Sequence, residues 1–330
     1  MSAQQLPDAD TVLNAALRIR EQVVRTPLLR SNALDAHVGG QVFLKAENLQ
    51  RSGSFKFRGA CSRLLTLSPA QRARGVVAYS SGNHALAIAE AARAIGIRAT
   101  VVMPQDAPAI KVEGCRQRGA EVALYDREHD DREAIGARLV ADQGMTLVPP
   151  YDDVLVMAGA GTGALEAMEQ MNGVPVDTIV VCCSGGGLAA GWTVAVHAAY
   201  PQARVVVVEP QHFDDTGRSL RAGHPLANSR KSGSISDALL ANTPGALTFP
   251  ILRAHAATGV TVSDDETLAA MYFAFHALKL VLEPGGAAAL AAVLAQKLPL
   301  EGRNTLLICS GGNVDADLFT QCLRLGAATR

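Results

Sequence analysis

Lys56 stands between two phenylalanines in the run SGSFKFRGA, residues 52–60. Partial desolvation by the aromatic rings and the charge of nearby Arg58 both favour the neutral amine, which is the nucleophilic form of lysine. A neutral lysine amine forms Schiff bases with carbonyl compounds, pyridoxal phosphate included. The competing interpretation is an ordinary lysine whose stem covers apolar surface while its amine reaches water. The other motifs of the chain distinguish a reactive lysine from an ordinary one.

Three turns of small residues follow predicted strands: SSGNH (80–84), SGGGL (184–188) and SGGN (310–313). Because parallel α/β folds bind ligands at the carboxyl ends of their strands, the three turns predict one shared cleft. The second turn suits a phosphate best, since backbone N–H groups converge there and a helix N-terminus follows. It lacks the Gly-Lys-Ser/Thr ending of a P-loop, which argues against a nucleoside triphosphate.

The second turn also fits a different class of protein. Its residues 185–190, GGGLAA, match the dinucleotide pattern G-x-G-x-x-A, and Glu209 ends the next predicted strand. An NAD-dependent dehydrogenase is therefore the alternative from another class, and a non-catalytic binding protein on the same fold is a third. A dinucleotide site leaves Lys56 and the other two turns without a role.

The run EPQHFDD, residues 209–215, gathers three carboxylates and a histidine after a predicted strand. Carboxylates with a backbone carbonyl suit a hard cation such as Mg²⁺, Mn²⁺ or Ca²⁺. Spacing alone favours a solvated acidic loop over a metal site. His212 is a poor zinc candidate, because no second histidine or cysteine stands nearby.

Positioning these residues requires alternating strands and helices, which predict a parallel α/β architecture. Apolar runs indicate strands at Gly75–Tyr79, Thr100–Met103, Glu121–Leu124, Thr178–Cys183, Val205–Glu209 and Thr305–Cys309. Helical spacing indicates helices at Pro7–Val23, His84–Ile95, Asp131–Gln143, Ala158–Met171, Leu188–Tyr200 and Asp264–Val281. The Ser-, Gly-, Asn- and Pro-rich stretch from Asp214 to Pro250 predicts a long irregular segment.

Two domains are expected. The strand–helix units between the Ser68-Pro69 and Pro149-Pro150 pairs predict a smaller domain at residues 69–149. Residues 1–68 and 150–330 would form the larger domain around it.

Composition restricts the class of partner. The chain has 330 residues, a formal net charge of -1 and 18% charged residues, with no basic run that indicates nucleic acid or a membrane surface. The N-terminal residues lack the apolar core of a signal peptide, and no apolar stretch is long enough to cross a bilayer. The six cysteines form no C-x-x-C pair and are expected to be reduced core thiols. These features predict a cytoplasmic protein that acts on a small molecule.

Taken together, these motifs resemble the fold-type II pyridoxal-phosphate enzymes, in the branch of serine/threonine dehydratases and serine racemase. The resemblance extends from about Val24 to Asp315. Its landmarks occur in family order: ENLQ (47–50), the Lys56 run, SSGNH (80–84), AGAGT (158–162), SGGGL (184–188), EPGG (283–286) and SGGN (310–313). The fold it implies has two domains, each an open, mostly parallel, twisted sheet flanked by helices, as in the tryptophan synthase β subunit.

The resemblance implies a role in cofactor binding for each landmark. Lys56 would hold pyridoxal phosphate as a Schiff base, with Phe55 beside the ring, Asn83 at the phenolic oxygen and Glu283 near the ring edge. Ser310 would face the pyridine nitrogen; a hydroxyl there makes a weaker electron sink than a carboxylate would, which favours β-elimination. The phosphate would be bound by the backbone of Ser184, Gly185, Gly186, Gly187 and Leu188.

The implied reaction is the dehydration of a β-hydroxy amino acid such as L-serine or L-threonine to a 2-oxo acid and ammonia. The turn containing Ser80, Ser81, Asn83 and His84 would receive the substrate, and Lys56 would act as the general base for its Cα proton. Ser81 would lie on the opposite face of the cofactor, where a second base permits racemisation. Serine racemase and 3-hydroxyaspartate dehydratase activities are therefore the alternatives within the family.

Cation-activated members of the family indicate Glu209, Asp215 and the Phe213 carbonyl as ligands of Mg²⁺, or of Mn²⁺ or Ca²⁺. Arg132 resembles an arginine of serine racemase and hydroxyaspartate dehydratases, which would pair with a second substrate carboxylate. The family also implies a homodimer. The chain departs from the family pattern at three places, so the family's local substrate contacts are not carried over to it: Ala160 stands for the usual glutamine, Ser184 for a glycine, and Ser236 and Ala238 flank Asp237 in place of alanine and glycine.

Overall fold

The computed structural model describes residues 6–80, 82–107, 109–126 and 128–328. The strands are β1 (Leu28–Leu29), β2 (Gln41–Ala46), β3 (Val76–Tyr79), β4 (Ala99–Pro104), β5 (Glu121–Tyr125), β6 (Thr146–Leu147), β7 (Thr178–Cys182), β8 (Arg204–Pro210), β9 (Thr258–Val262) and β10 (Asn304–Cys309). The helices are α1 (Ala9–Ile19), α2 (Asn32–Val38), α3 (Lys56–Leu64), α4 (Pro69–Arg74), α5 (Asn83–Ile95), α6 (Ala109–Gln117), α7 (Arg132–Gln143), α8 (Val154–Gln170), α9 (Gly187–Ala199), α10 (Asp215–Ala222), α11 (Thr248–Ala254), α12 (Asp264–Phe273), α13 (Pro284–Leu294) and α14 (Ala316–Ala328).

The first sheet has six strands in the order β1-β2-β10-β7-β8-β9. All neighbouring pairs are parallel except β1 with β2. Strands β7 and β10 lie side by side at the centre, so the turns that follow them leave from the same edge of the sheet. This arrangement is the ligand-binding edge of a parallel α/β sheet.

The second sheet has four parallel strands in the order β5-β4-β3-β6. All four strands fall between Val76 and Leu147, inside the segment expected to form the smaller domain. The α/β prediction is confirmed for both sheets. The domain boundaries at residues 68/69 and 149/150 stay a prediction.

Each of the six predicted strands is present, and its bounds differ from the predicted ones by no more than one residue at either end. Helix starts are set by capping side chains: Asp8 and Asp153 accept backbone N–H groups, so α1 begins at Ala9 and α8 at Val154. The predicted helix to Val281 instead ends at Phe273 and continues as a π-helical turn to Leu278. The next residue, Lys279, takes left-handed backbone angles that stop it.

The expectation of an irregular segment from Asp214 to Pro250 is wrong at both ends, where α10 and α11 form. Contacts distant in sequence account for them. The Glu209 carboxylate accepts the first N–H groups of α10, and Asp152 accepts the N–H groups of Ala246 and Leu247 just before α11. The amino-acid composition of this segment indicates neither of these contacts.

Strand β2 was not predicted, because Lys45 interrupts its apolar pattern. Its side chain is fully buried, and Nζ donates to Glu166 Oε2 at 2.8 Å and to the Thr26 carbonyl oxygen at 2.8 Å. These bonds offset the desolvation of the ammonium group. The strand pairs residue by residue with β10, from Gln41 beside Asn304 to Ala46 beside Cys309.

Within the described residues, no helix combines the length and the apolar character that crossing a membrane requires. The six cysteines are all buried and free, in agreement with the expectation of reduced core thiols.

Candidate active site

Lys56 is the first residue of α3, and its side chain is half-buried. Its Nζ donates to the Pro150 carbonyl oxygen at 2.6 Å and lies 5.2 Å from the centre of the Phe55 ring. Desolvation by burial lowers the pKa of Lys56 to about 8, against a small opposing effect of the nearby Cys182. The predicted nucleophilic amine is therefore consistent with the geometry.

The predicted influence of Arg58 on this amine is wrong. Arg58 is fully buried and donates to both carboxylate oxygens of Glu47 at 2.8 Å and to both oxygens of Glu166 at 2.7 and 2.8 Å. Residues two apart on a helix do not share a face. The guanidinium charge is thus compensated within an ion-pair network, and burial alone accounts for the lowered pKa of Lys56.

The turn at 184–188 joins β7 to α9 and has the character of an anion cradle. The N–H groups of Gly185, Gly186 and Gly187 donate to no acceptor in the part of the chain that the structure describes. Gly186 has φ of 90°, which glycine adopts without strain, and a Cβ on Gly187 would lie 2.8 Å from Tyr151 Cβ. The close approach of Tyr151 thus requires glycine here. The N–H groups of the turn lie at the N-terminus of α9, where anions bind.

The first and third turns meet directly. Asn83 Oδ1 accepts from Asn313 Nδ2 at 2.7 Å, and Asn83 Nδ2 donates to Glu283 Oε1. An amide NH₂ has two hydrogens, so one N–H of Asn83 remains for a ligand oxygen. Burial raises the pKa of Glu283 to about 7, against the effect of the Asn83 hydrogen bond.

Ser310 lies where β10 ends, and its backbone is tied to the Lys56 segment. Its carbonyl oxygen accepts from Phe55 N–H at 3.0 Å, and Ser54 forms a bridge with Gly311. The Ser310 hydroxyl has one side-chain partner in the described residues, the Cys182 thiol at 3.2 Å. Lys56, the second turn and Ser310 thus surround one region at the carboxyl edge of the first sheet.

Two further predicted substrate residues, Ser80 and His84, lie beside Asn83 in the first turn. Ser80 is half-buried at the end of β3, and its Oγ accepts from Gly82 N–H at 3.2 Å. His84 is buried; its Nε2 lies 2.9 Å from the Val148 carbonyl oxygen, and Nδ1 has no partner. Burial and the charge of Lys56 lower the pKa of His84 to about 3, so it is neutral. Ser81, the predicted second base, lies outside the described residues.

Arg132 is exposed at the start of α7, with its guanidinium carbon 5.5 Å from the centre of the Tyr79 ring. It also acts electrostatically on Tyr151, which packs over the glycine turn. Arg132 is therefore on the same side of the molecule as the cleft. Its guanidinium makes no ion pair with another described residue.

The predicted cation ligands come together at the end of β8. Glu209 and Asp215 are both fully buried, and the Asp215 Oδ2 atom has no hydrogen-bond partner. Burial and the neighbouring Asp215 raise the pKa of Glu209 to about 8, and burial raises that of Asp215 to about 6. Two buried carboxyl groups whose ionisation burial opposes, one of them with an unsatisfied oxygen, fit a hard divalent cation, whose charge would favour the ionised form of both.

No cluster of three or more His, Cys, Asp or Glu side chains suited to a metal occurs among the described residues, so this site offers two carboxylates. The Phe213 carbonyl oxygen accepts no backbone hydrogen bond in that part of the chain and remains available as a third ligand. His212 has left-handed backbone angles and is exposed.

Three further residues belong to this region and were not predicted. Tyr151 covers the glycine turn, Cys182 contacts Ser310, and Lys111 of α6 forms a 2.9 Å ion pair with Asp237. Tyr151 follows the Pro149-Pro150 pair, which marked only a boundary in the sequence. The sequence does not indicate the contacts of Cys182 and Lys111, because their partners are more than 100 residues away in the chain.

Comparison with known proteins gives a consistent result. Residues 19–311 match the family described as pyridoxal-phosphate dependent enzyme. The L-threo-3-hydroxyaspartate ammonia-lyase of a Pseudomonas species is 43% identical over 97% of this chain and 99% of its own length. The catabolic L-threonine dehydratase of Escherichia coli is 38% identical over 94% of each chain. Maize serine racemase superposes with a TM-score of 0.91 at 36% identity, covering 98% of this chain and 99% of that one.

Proposed function

The chain belongs to the pyridoxal-phosphate dependent enzymes, and we propose that within this family it is an ammonia-lyase of β-hydroxy amino acids. The reaction converts the amino acid to a 2-oxo acid and ammonia, with serine racemase activity as the alternative. The observation that carries the proposal is the half-buried Lys56 amine, which shares one region with a glycine turn of free N–H groups and with Ser310. An NAD-dependent dehydrogenase leaves this lysine without a role and is set aside.

The residues present fit pyridoxal phosphate. The amine of Lys56 would bind its aldehyde, the N–H groups of the 184–188 turn its phosphate, and the remaining N–H of Asn83 its phenolic oxygen. Phe55 and Glu283 would flank the ring, and the Ser310 hydroxyl would face the ring nitrogen. When bound, this cofactor withdraws electrons from the substrate Cα.

The protein's own contribution is binding, orientation and proton transfer. Substrate amine would displace Lys56, whose freed amine would then take the Cα proton. A pKa of about 8 suits this step, since a general base works best when its pKa is near the working pH. The substrate carboxylate would be received by the turn from Ser80 to His84, where Ser81 is the predicted base for racemisation.

L-threo-3-Hydroxyaspartate is the first substrate to test. Its second carboxylate requires a cation near the substrate, and the guanidinium of Arg132, beside Tyr79, forms no ion pair with any of the described residues. The products would be oxaloacetate and ammonia. L-Serine and L-threonine, which lack the second carboxylate, would not use Arg132.

Glu209, Asp215 and the Phe213 carbonyl would bind Mg²⁺, or Mn²⁺ or Ca²⁺, as a structural cation. We also propose a cytoplasmic homodimer whose smaller domain, residues 69–149, borders the cleft. Light scattering of the purified holoprotein measures the mass directly and tests the dimer against a 34.5 kDa monomer.

The test is a substrate panel with the holoprotein: L- and D-serine, L-threonine and the stereoisomers of 3-hydroxyaspartate, each with and without Mg²⁺. Ammonia, 2-oxo acid and the chirality of the remaining amino acid are measured together. A lyase releases ammonia and 2-oxo acid in equal amounts. A racemase inverts the amino acid without ammonia, and a protein that binds pyridoxal phosphate but does neither contradicts the proposal.

A further inference from the structure

The backbone of Ser310 is held on both sides. Its N–H donates to the Gly286 carbonyl oxygen at 3.3 Å, and its carbonyl oxygen accepts from Phe55 N–H at 3.0 Å. The residue is 5% exposed. Because the backbone is fixed, the side-chain hydroxyl can still rotate. The group that donates a hydrogen bond to Oγ therefore sets the direction in which the hydroxyl hydrogen points.

Cys182 is the side chain that bonds to it. Its Sγ lies 3.2 Å from Ser310 Oγ, and Cys182 is 4% exposed at the last position of β7. Burial raises the pKa of the Cys182 thiol to about 11, so it carries its hydrogen at neutral pH. A hydroxyl oxygen is a good acceptor and a thiol sulfur a weak one, which favours S–H donation to oxygen over the reverse.

We propose that Cys182 is a positioning residue that acts through Ser310: its S–H donates to Ser310 Oγ and directs the Ser310 hydroxyl hydrogen to the pyridine nitrogen of the cofactor. This inference rests on the proposed function, which puts that nitrogen opposite Ser310. The chain of donors runs from the thiol to the hydroxyl to the nitrogen. In such a chain, each bond polarises and strengthens the next.

The direction of this hydrogen bond affects how strongly the bound cofactor would withdraw electrons. A nitrogen that accepts a hydrogen bond from a hydroxyl keeps its lone pair and stays unprotonated. A protonated nitrogen would instead require Ser310 Oγ as its acceptor, with the hydroxyl hydrogen turned towards a weakly accepting sulfur. Cys182 therefore favours an unprotonated ring nitrogen. The cofactor would then be a weaker electron sink, which suits elimination.

The direct measurement is the ¹⁵N chemical shift of the ring nitrogen in holoprotein loaded with ring-labelled pyridoxal phosphate. For the wild type we expect the shift of an unprotonated nitrogen that accepts a hydrogen bond. Cys182→Val removes the donor and keeps a side chain suited to a strand. Its signal should move downfield, towards a nitrogen with a weaker hydrogen bond, and the Kd for the cofactor should rise about threefold, as for loss of one modest hydrogen bond.

Three comparisons separate this role from general damage to the core. Cys182→Ser keeps a donor and should retain the wild-type shift and affinity. Cys309→Val makes the same change at a buried thiol on the neighbouring strand and should leave the shift unchanged. In a Ser310→Ala background, where the acceptor is gone, adding Cys182→Val should produce no further shift.

The inference is overturned if the wild-type nitrogen is protonated, if Cys182→Val leaves the shift unchanged, or if its effect persists without the Ser310 hydroxyl. Should Cys182→Val not fold, Cys182→Ala is measured in its place with the same expectation. A failure of the proposed function looks different: the wild-type protein would then show no visible cofactor band, or would neither release ammonia nor invert an amino acid in the substrate panel, whatever the shifts of the variants.

Discussion

The Lys56 amine has one protein partner in the described part of the chain, the Pro150 carbonyl oxygen at 2.6 Å. That carbonyl accepts from either protonation state of the amine, so it holds the side chain in place without fixing its charge. Burial then determines the protonation state of the amine, because it lowers the pKa of Lys56 to about 8. At neutral pH the apoprotein thus has an appreciable fraction of reactive amine.

A pH dependence follows for cofactor capture by the apoprotein. The neutral amine reacts with the aldehyde, so the rate should rise with pH and level off above about 8, where Lys56 has lost its proton. Stopped-flow absorbance after mixing with pyridoxal phosphate measures this rate. Free Nα-acetyl-lysine is the matched control: with an ordinary pKa of about 10.4, its rate should still be rising at pH 9. A capture rate that follows the control contradicts the depressed pKa.

Arg132 gives a prediction about substrate choice. Arg132→Gln should raise KM for L-threo-3-hydroxyaspartate by about tenfold to a hundredfold, the effect of losing one charge-assisted hydrogen bond. KM for L-serine should not change, because serine has no second carboxylate. Arg138→Gln alters an exposed arginine on the same helix and is the control. Equal effects on both substrates would show that Arg132 does not select the dicarboxylate.

Among the elements, α10 connects the candidate cation site to the glycine turn. Its first N–H groups, from Thr216 and Gly217, donate to Glu209 at 2.9 and 2.7 Å. Thr216 Oγ1 lies 3.4 Å from the Ser184 carbonyl oxygen. The family resemblance, and not the spacing of the acidic run, indicated Glu209 and Asp215 as ligands. The helix that starts at Asp215 is stabilised by a carboxylate from the preceding strand, a contact that local helix propensity does not register. Six of the ten strands were predictable because each is a short apolar run, whereas β2 was not, because Lys45 interrupts its apolar pattern.

A cation should stabilise the protein through this element. Mg²⁺ at about 100 times its Kd should raise the free energy of unfolding by about 2.7 kcal/mol, and EDTA should reverse the gain. Asp215→Asn should abolish the response without lowering the stability of the metal-free protein, because it removes a buried carboxyl group whose ionisation burial opposes. Thermal unfolding with and without Mg²⁺ measures both effects.

The control for this prediction is the adjacent carboxylate. Asp214 is partly exposed and pairs with Arg218 and Arg221, so Asp214→Asn should keep the full Mg²⁺ response. If Asp214→Asn loses the response and Asp215→Asn keeps it, the ligand assignment is wrong.

At the scale of the molecule, the candidate site depends on contacts between distant segments. Strands β2 and β10 pair although more than 250 residues of sequence separate them. The ion pair between Lys111 and Asp237 joins α6, which lies between β4 and β5 in the chain, to the segment beside α13. The alternation of strands and helices predicted the α/β class, and small residues after predicted strands predicted the turns. The partners of Arg58 and Cys182 could not be predicted, because a single sequence does not show which buried polar groups meet after folding.

The buried ion-pair network should contribute strongly to stability. Arg58 and Glu47 are both fully buried, and Arg58 also pairs with Glu166. Arg58→Met would leave buried carboxylates uncompensated and should lower the free energy of unfolding by about 3–5 kcal/mol. Urea denaturation of the apoprotein measures this loss. Arg63→Met, on the same helix but in a partly exposed pair, should cost less than about 1 kcal/mol. Similar losses for the two variants would contradict the network's role.

The most direct test of the account is the identity of the lysine that holds the cofactor. Borohydride reduction of the holoprotein fixes the Schiff base as a stable secondary amine, and peptide mass spectrometry then locates the pyridoxyl group. We expect modification of the peptide that contains Lys56, and loss of both the adduct and the visible absorbance band in Lys56→Ala. Stoichiometric modification of Lys45, Lys111, Lys231, Lys279 or Lys297 instead, or no adduct at all, would contradict it.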